Sequence, residues 1–138
     1  MRKINRIIIH STATPEGRAV TPEEICRWHR EAGKREIGYH YVIGLDGTVH
    51  NGRNSAIAGA HVAGYNQNSI GICYVGGVAK GSKTPKDTRT AEQTAALKKL
   101  IAELKKEHPS ATICGHKDLA VTDCPSFDVS AWLHLNPI

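Results

Sequence analysis

The chain reads as a single α/β domain over residues 1–138, a central mixed β-sheet flanked by about three α-helices. Two observations predict this. Apolar runs of strand length, Arg6 to His10, Ser69 to Val75 and Ala111 to Cys114, are spread along the sequence. Between them lie segments whose apolar residues recur at helical spacing and whose ends carry start and stop signals. Such an alternation builds a sheet with helices on its faces. A chain of 138 residues is long enough for one core, burying about two thirds of its unfolded surface. With 40% hydrophobic but only 5% aromatic residues, that core must be mostly aliphatic.

The first strand, Arg6 to His10, holds three consecutive isoleucines and suits a strand covered on both faces. A loop, Ser11 to Val20, leads to a helix with Thr21 as N-cap, Pro22 at the first helical position and Glu24 completing a capping box. Ile25, Trp28, His29 and Ala32 form its inner stripe, and Gly33 stops it. Ile37 to Leu45 alternates like a strand, with Tyr39, Tyr41 and Ile43 on one face and His40 and Val42 on the other. Asp46-Gly47 signals a hairpin turn, and Thr48 to Asn51 returns as its partner. Ser69 to Val75, bounded by Gly76-Gly77, reads as a central strand. A loop over residues 76–89 precedes a long helix with a Thr90/Gln93 capping box and Leu97, Leu100, Ile101 and Leu104 on one face. Lys98, Lys99, Lys105 and Lys106 make its solvated face, and Pro109 ends it. Asp128 caps a last short helix carrying Trp132 and Leu133.

Composition also excludes. The N-terminal apolar run is too short for a signal-peptide core or a membrane span. Synthesis in the cytoplasm and no membrane partner are therefore expected, and the protein is expected to be a monomer. The net charge of +5 favours anionic partners, but it is scattered, without an aromatic-interleaved basic stripe, so no nucleic-acid partner is expected. Cys26, Cys73 and Cys114 lie in apolar strand or helix patterns and read as buried structural thiols. Gly76 to Thr84 nearly spells a phosphate loop. However, Ser82 separates Gly81 from Lys83, Pro85 follows Thr84, and no helix begins there, so nucleotide binding is rejected.

The chemistry concentrates in three residues. His10 and His116 each close an apolar run, where α/β sheets place their ligands. Cys124 follows eight residues after His116 on a loop, beside Pro125. Two imidazoles and a thiol suit Zn2+, and three protein ligands leave a fourth position open, as in catalytic sites. A hydrolase built this way also needs a proton-handling or oxyanion-stabilising group. Tyr39 is a candidate if its strand lies beside that of His10.

These residues resemble the zinc-dependent N-acetylmuramoyl-L-alanine amidases of the phage-lysozyme type, relatives of the peptidoglycan recognition proteins. The likeness covers nearly the whole chain. It runs through Ile9-His10-Ser11-Thr12-Ala13-Thr14, Trp28-His29, Gly38-Tyr39-His40-Tyr41 and Asp46-Gly47-Thr48-Val49. It continues through His61-Val62-Ala63-Gly64-Tyr65-Asn66, Asn68-Ser69-Ile70-Gly71, and His116 through Cys124-Pro125-Ser126-Phe127-Asp128. The resemblance implies that His10, His116 and Cys124 hold zinc, that Tyr39 is the catalytic tyrosine, and that His61 sits beside the metal in the substrate cleft. The implied substrate is peptidoglycan or a muropeptide, cut at the amide between the lactyl group of N-acetylmuramic acid and L-alanine. The implied setting is a phage or prophage endolysin acting on the wall after release, or wall remodelling. The phage enzymes carry a lysine two residues before the ligand cysteine, where this chain has Thr122. A hydroxyl there brings no charge, so lower or differently pH-dependent activity is expected. The rival reading is a recognition module that binds wall fragments without cutting; the intact ligand trio speaks against it. Some phage relatives also inhibit an RNA polymerase, and these residues neither show nor exclude such a surface.

Overall fold

The structure is a computed structural model that describes residues 2–138. It contains a five-stranded mixed sheet built of β1 (Arg6–Ser11), β3 (Tyr41–Ile43), β4 (Val49–Asn51), β5 (Ser69–Tyr74) and β7 (Thr112–Gly115), and a separate two-stranded sheet of β2 (Thr14–Pro15) and β6 (Gly77–Val78). The strand order in the main sheet is β4-β3-β5-β1-β7. β1 runs parallel to both β5 and β7, β3 is parallel to β5, and only β4 is antiparallel to its neighbour β3. The middle strand is β5, every residue of which is buried. This is the central strand that the uninterrupted apolar run from Ser69 predicts.

The helices are α1 (Pro22–Glu31), α2 (Ala91–Glu107) and α3 (Val129–Leu135). Both predicted capping boxes form. Thr21 accepts from the Glu24 N–H, Thr90 accepts from the Gln93 N–H, and each N3 side chain reaches back to the cap. Gln93 does more than cap. It is fully buried, and its Nε2 donates to the carbonyls of Val75 at 2.9 Å and Ile43 at 3.2 Å, tying α2 to the sheet. Gly33, one residue past the C-cap, takes the left-handed φ of +91° that stops α1 there. Lys105 is only half-exposed and donates to the Pro109 and Ala111 carbonyls beyond the end of α2, so it is not part of a purely solvated face.

The two faces of the sheet differ. Ile7, Ile9, Ile70, Ile72, Tyr74 and Ile43 join Leu97, Leu100, Ile101 and Leu104 of α2 and Val129 of α3 in the main aliphatic core. The alternate residues, among them His10, Cys73 and Val42 at paired register positions, face the other way. There Val20, Ile25, Ile37, Val42 and Val75 form a smaller cluster under α1. This second face carries the chemistry.

Four expectations need correction. The strand read over Ile37 to Leu45 is regular only from Tyr41 to Ile43. The N–H groups of Gly52 and Arg53 donate to the successive carbonyls of His40 and Tyr39, each at 2.8 Å, which breaks the alternating ladder. As a result Tyr39 packs with Val42, whereas Tyr41 and Ile43 pack on the α2 side. Next, Ser11–Val20 and residues 76–89 are not wholly loop: Ser11 belongs to β1, and β2 (Thr14–Pro15) pairs in parallel with β6 (Gly77–Val78). Third, of the three cysteines read as buried only Cys73 is; Cys26 and Cys114 are part-exposed, and all four thiols are free. Finally Ala32, read into the inner stripe of α1, lies beyond the helix end and is exposed. No helix among the described residues is long and apolar enough to cross a membrane.

Candidate active site

β7 lies against β1 with Ile9 opposite Gly115, so His116, the next residue after β7, is delivered beside His10. Their ring centroids are 4.7 Å apart. His116 opens a single 3₁₀ turn, His116–Asp118, which is fixed by Asp118 Oδ2 accepting the Gly115 N–H at 2.7 Å. The following loop folds back on itself: the Lys117 N–H donates to the Cys124 carbonyl at 2.8 Å. Cys124 Sγ then accepts the Ser11 N–H at 3.2 Å and stands 3.8 Å from His10 Nδ1. Three further contacts hold this loop. The Tyr74 hydroxyl donates to the Pro125 carbonyl at 2.7 Å, Ser126 Oγ donates to the Gly77 carbonyl at 2.8 Å, and the Arg89 guanidinium stacks 3.6 Å above the Phe127 ring. Gly115 must be glycine for the same reason, since a Cβ there would come within 2.9 Å of Pro125 Cδ.

His10, His116 and Cys124 thus bring one donor atom each to within 4.8 Å of one another. A tetrahedral zinc with Zn–N near 2.0–2.1 Å and Zn–S near 2.3 Å sets its ligands about 3.3–3.6 Å apart. His10 Nδ1 and Cys124 Sγ, 3.8 Å apart, lie close to that spacing, and a small closing of the three donors would complete it. The electrostatics also suit a cation. His10 is fully buried, and the charged-group influences on it come from His61, His116 and His29, none of them a carboxylate. Burial first, then these imidazoles, hold His10 far below the ordinary histidine range, and burial lowers His116 as well. Both are therefore neutral lone-pair donors at neutral pH. Burial raises the Cys124 thiol, and the Ser11 N–H partly opposes that shift. A bound divalent cation would keep that thiol deprotonated. The residues present fit zinc.

Tyr39 reaches this cluster by an unexpected route. β3 does not lie beside β1, because β5 stands between them. The irregular stretch before β3 instead turns the Tyr39 ring across Cys73, to 4.9 Å from the His10 ring and 5.2 Å from that of His29. Tyr39 as a whole is half-buried. Burial, then the nearby Cys73 and Cys124, pushes the phenol well above its ordinary range, so it keeps its proton. His29 of α1 supports this arrangement, its Nδ1 accepting the Gly38 N–H at 2.8 Å. Thr122 is half-buried in the same loop as Cys124, and its Oγ1 accepts the Cys124 N–H at 3.3 Å.

His61 stands edge-on to His10 with its Nδ1 2.8 Å from His10 Nε2. Burial, then His40 and His116, lowers it to about 3, so it too is neutral. His40, which sequence reasoning did not place in the site, packs edge-on to His61 with centroids 5.9 Å apart. It donates from Nε2 to the Ile57 carbonyl at 2.8 Å and accepts the Gly71 N–H at Nδ1 at 3.0 Å. His29 and His40 each lie within a segment that carries the family resemblance, and helical spacing had also turned His29 inward. Beyond His40 opens a polar cavity of about 380 Å³ lined also by Asn51, Arg53, Asn54 and Ser55.

These buried neutral imidazoles have a consequence for the metal-free protein. Below the ordinary histidine pKa of about 6.5, the unfolded chain takes up protons that His10 and His61 refuse in the fold, so stability falls as pH falls. The loss starts near pH 6.5 and continues towards pH 3, where His61 titrates. Each such histidine adds a slope of up to about 1.4 kcal/mol per pH unit. Urea midpoints of zinc-free protein should drop steadily from pH 7 to pH 5; a flat series would show that these rings charge freely.

Parallel strands that gather two imidazoles and a thiol at one end, beside a buried phenol, define a class of α/β enzyme with a metal-type donor set. Residues 1–127 match the family model described as N-acetylmuramoyl-L-alanine amidase. The endolysin of Klebsiella phage KP32 is 41% identical over 138 residues, covering 99% of this chain and 90% of the phage protein. Among solved structures, the N-acetylmuramoyl-L-alanine amidase LysC from Clostridium intestinale URNW superposes with a TM-score of 0.82 at 27% identity, over 98% of this chain and 85% of that one. A Drosophila PGRP-LB variant in complex with tracheal cytotoxin gives 0.81 at 26% identity, over 99% and 83%. The chain belongs to the N-acetylmuramoyl-L-alanine amidase family.

Proposed function

We propose that this protein is a zinc-dependent endolysin-type amidase, cutting peptidoglycan between the lactyl group of N-acetylmuramic acid and the L-alanine of the stem peptide. The reading is carried by the convergence of His10, His116 and Cys124 with the buried phenol of Tyr39 beside them. In this reading His10, His116 and Cys124 hold the metal. A bound zinc supplies Lewis acidity and a water acidified to a pKa of about 7. The chain's own residues do the rest. Tyr39 keeps its proton and donates from Oη to the scissile carbonyl oxygen as negative charge develops there. His29, through the Gly38 N–H, fixes the segment that aims Tyr39. Thr122, two residues before Cys124, shapes the ligand loop through the Cys124 N–H and offers a neutral hydroxyl to the same oxyanion. Family membership and an intact donor trio favour cutting over binding alone, and a peptidoglycan substrate supports action at the cell wall after release.

Digestion of purified peptidoglycan should release new N-terminal alanine, stop on chelation and resume with added zinc. Saturable muropeptide binding with stoichiometric zinc and no release from any wall type would leave a recognition module instead.

A further inference from the structure

We propose that His61 is a positioning residue for His10: a hydrogen-bond chain from His10 through His61 to Ser69 holds His10 in the tautomer that presents a bare Nδ1 to His116 and Cys124. The inference rests on the zinc reading above and concerns groups that lie behind the donors. His10 uses its two ring nitrogens on opposite sides, Nδ1 facing Cys124 Sγ at 3.8 Å and Nε2 meeting His61 Nδ1 at 2.8 Å. His61 in turn brings its Nε2 to 3.2 Å from Ser69 Oγ.

The chain runs in one productive direction. With a proton on His10 Nε2, that nitrogen donates to His61 Nδ1, His61 Nε2–H donates to Ser69, and His10 Nδ1 keeps its lone pair. Reversed, His10 Nε2 would accept and the proton would sit on Nδ1, the atom that must be bare to bind a cation. A ligand imidazole whose other nitrogen donates to a fixed acceptor has its ring plane and tautomer set by that acceptor.

The acceptor is itself built in. Asn66 Oδ1 takes the N–H groups of both His61 and Val62 at 2.9 Å, which locks the backbone carrying the ring. The ring lies flat over Gly71, where any Cβ would fall 2.8 Å from its Cγ and Nδ1. Both nitrogens of His61 are thereby engaged inside the protein, which leaves neither free for a substrate.

The test measures zinc affinity by competition with a chromophoric chelator, and the His10 tautomer by ¹⁵N NMR of the metal-free protein. His61→Ala should weaken zinc by about 10–100-fold, the usual cost of losing such a partner. His61→Asn, whose Oδ1 takes the place of Nδ1 as acceptor, should recover most of that loss, and Ser69→Ala should give a smaller loss. At saturating zinc the KM for a muropeptide should stay within about twofold of wild type. Wild-type zinc affinity in His61→Ala with a raised KM would overturn the proposal and make His61 a substrate contact. A proton on His10 Nδ1 in the wild-type protein would overturn it without any variant. Wild-type protein that takes up no zinc at all would instead sink the reading beneath it.

Discussion

Cys124→Ser is expected to leave a folded protein that no longer retains zinc. The serine hydroxyl can still accept the Ser11 N–H that now ends on Sγ. The contacts that hold the loop, from Tyr74, Ser126 and Arg89, do not involve the thiol. What disappears is the soft anionic donor. Zinc binding worth about 10–16 kcal/mol in sites of four ligands corresponds to roughly 3–4 kcal/mol per ligand. That is a loss of about 10²–10³ in affinity. Wall hydrolysis at limiting zinc should fall at least as far. Metal content after gel filtration, read beside alanine release, checks both. A variant that keeps one zinc per chain and full turnover would remove Cys124 from the donor set.

Tyr39→Phe should do the opposite: zinc stays and turnover goes. The hydroxyl lies among Cys73 and Cys124, and burial keeps it protonated, so it is a fixed donor in a site of low polarity. Removing one such donor typically costs about 10²–10³ in kcat, or about 2.7–4 kcal/mol. The structural cost is small, because the Cys73 thiol retains its contact with the Tyr74 carbonyl at 3.7 Å. Single-turnover hydrolysis at saturating zinc separates this from a metal effect. A kcat within twofold of wild type would reduce Tyr39 to a packing residue.

Much of the frame was legible because its signals are local. The run Ile7-Ile8-Ile9 and the stretch Ser69 to Tyr74 became the buried parallel pair β1 and β5, since nothing but a doubly covered strand suits them. Both capping boxes formed where Thr21 and Thr90 announced them. The exits of His10 and His116 from apolar runs were visible too. That the two strands are neighbours was not, because strand order follows from packing and leaves no trace in spacing. The same holds for the Thr14–Pro15 pairing with Gly77–Val78, a ladder too short to carry a period. Tyr39 illustrates the limit best. Alternation put it on the face of Tyr41, and only the broken ladder at Gly52 and Arg53 turns it to the histidines. The approach of His61 to His10, across 51 positions, depends on the bare surface of Gly71, which a sequence shows only as one more glycine.

The donors come from the two ends of the chain. His10 and Cys124 are 114 positions apart, and His116 is brought in only when β7 docks on β1. A cation shared by all three is therefore a removable crosslink across almost the entire polypeptide. A permanent link closing a loop of that size takes about 4–5 kcal/mol of freedom from the unfolded chain. It also orders events in time. In the zinc enzyme proposed above, the metal could be loaded only after residues 116–124 have been made and folded home against His10.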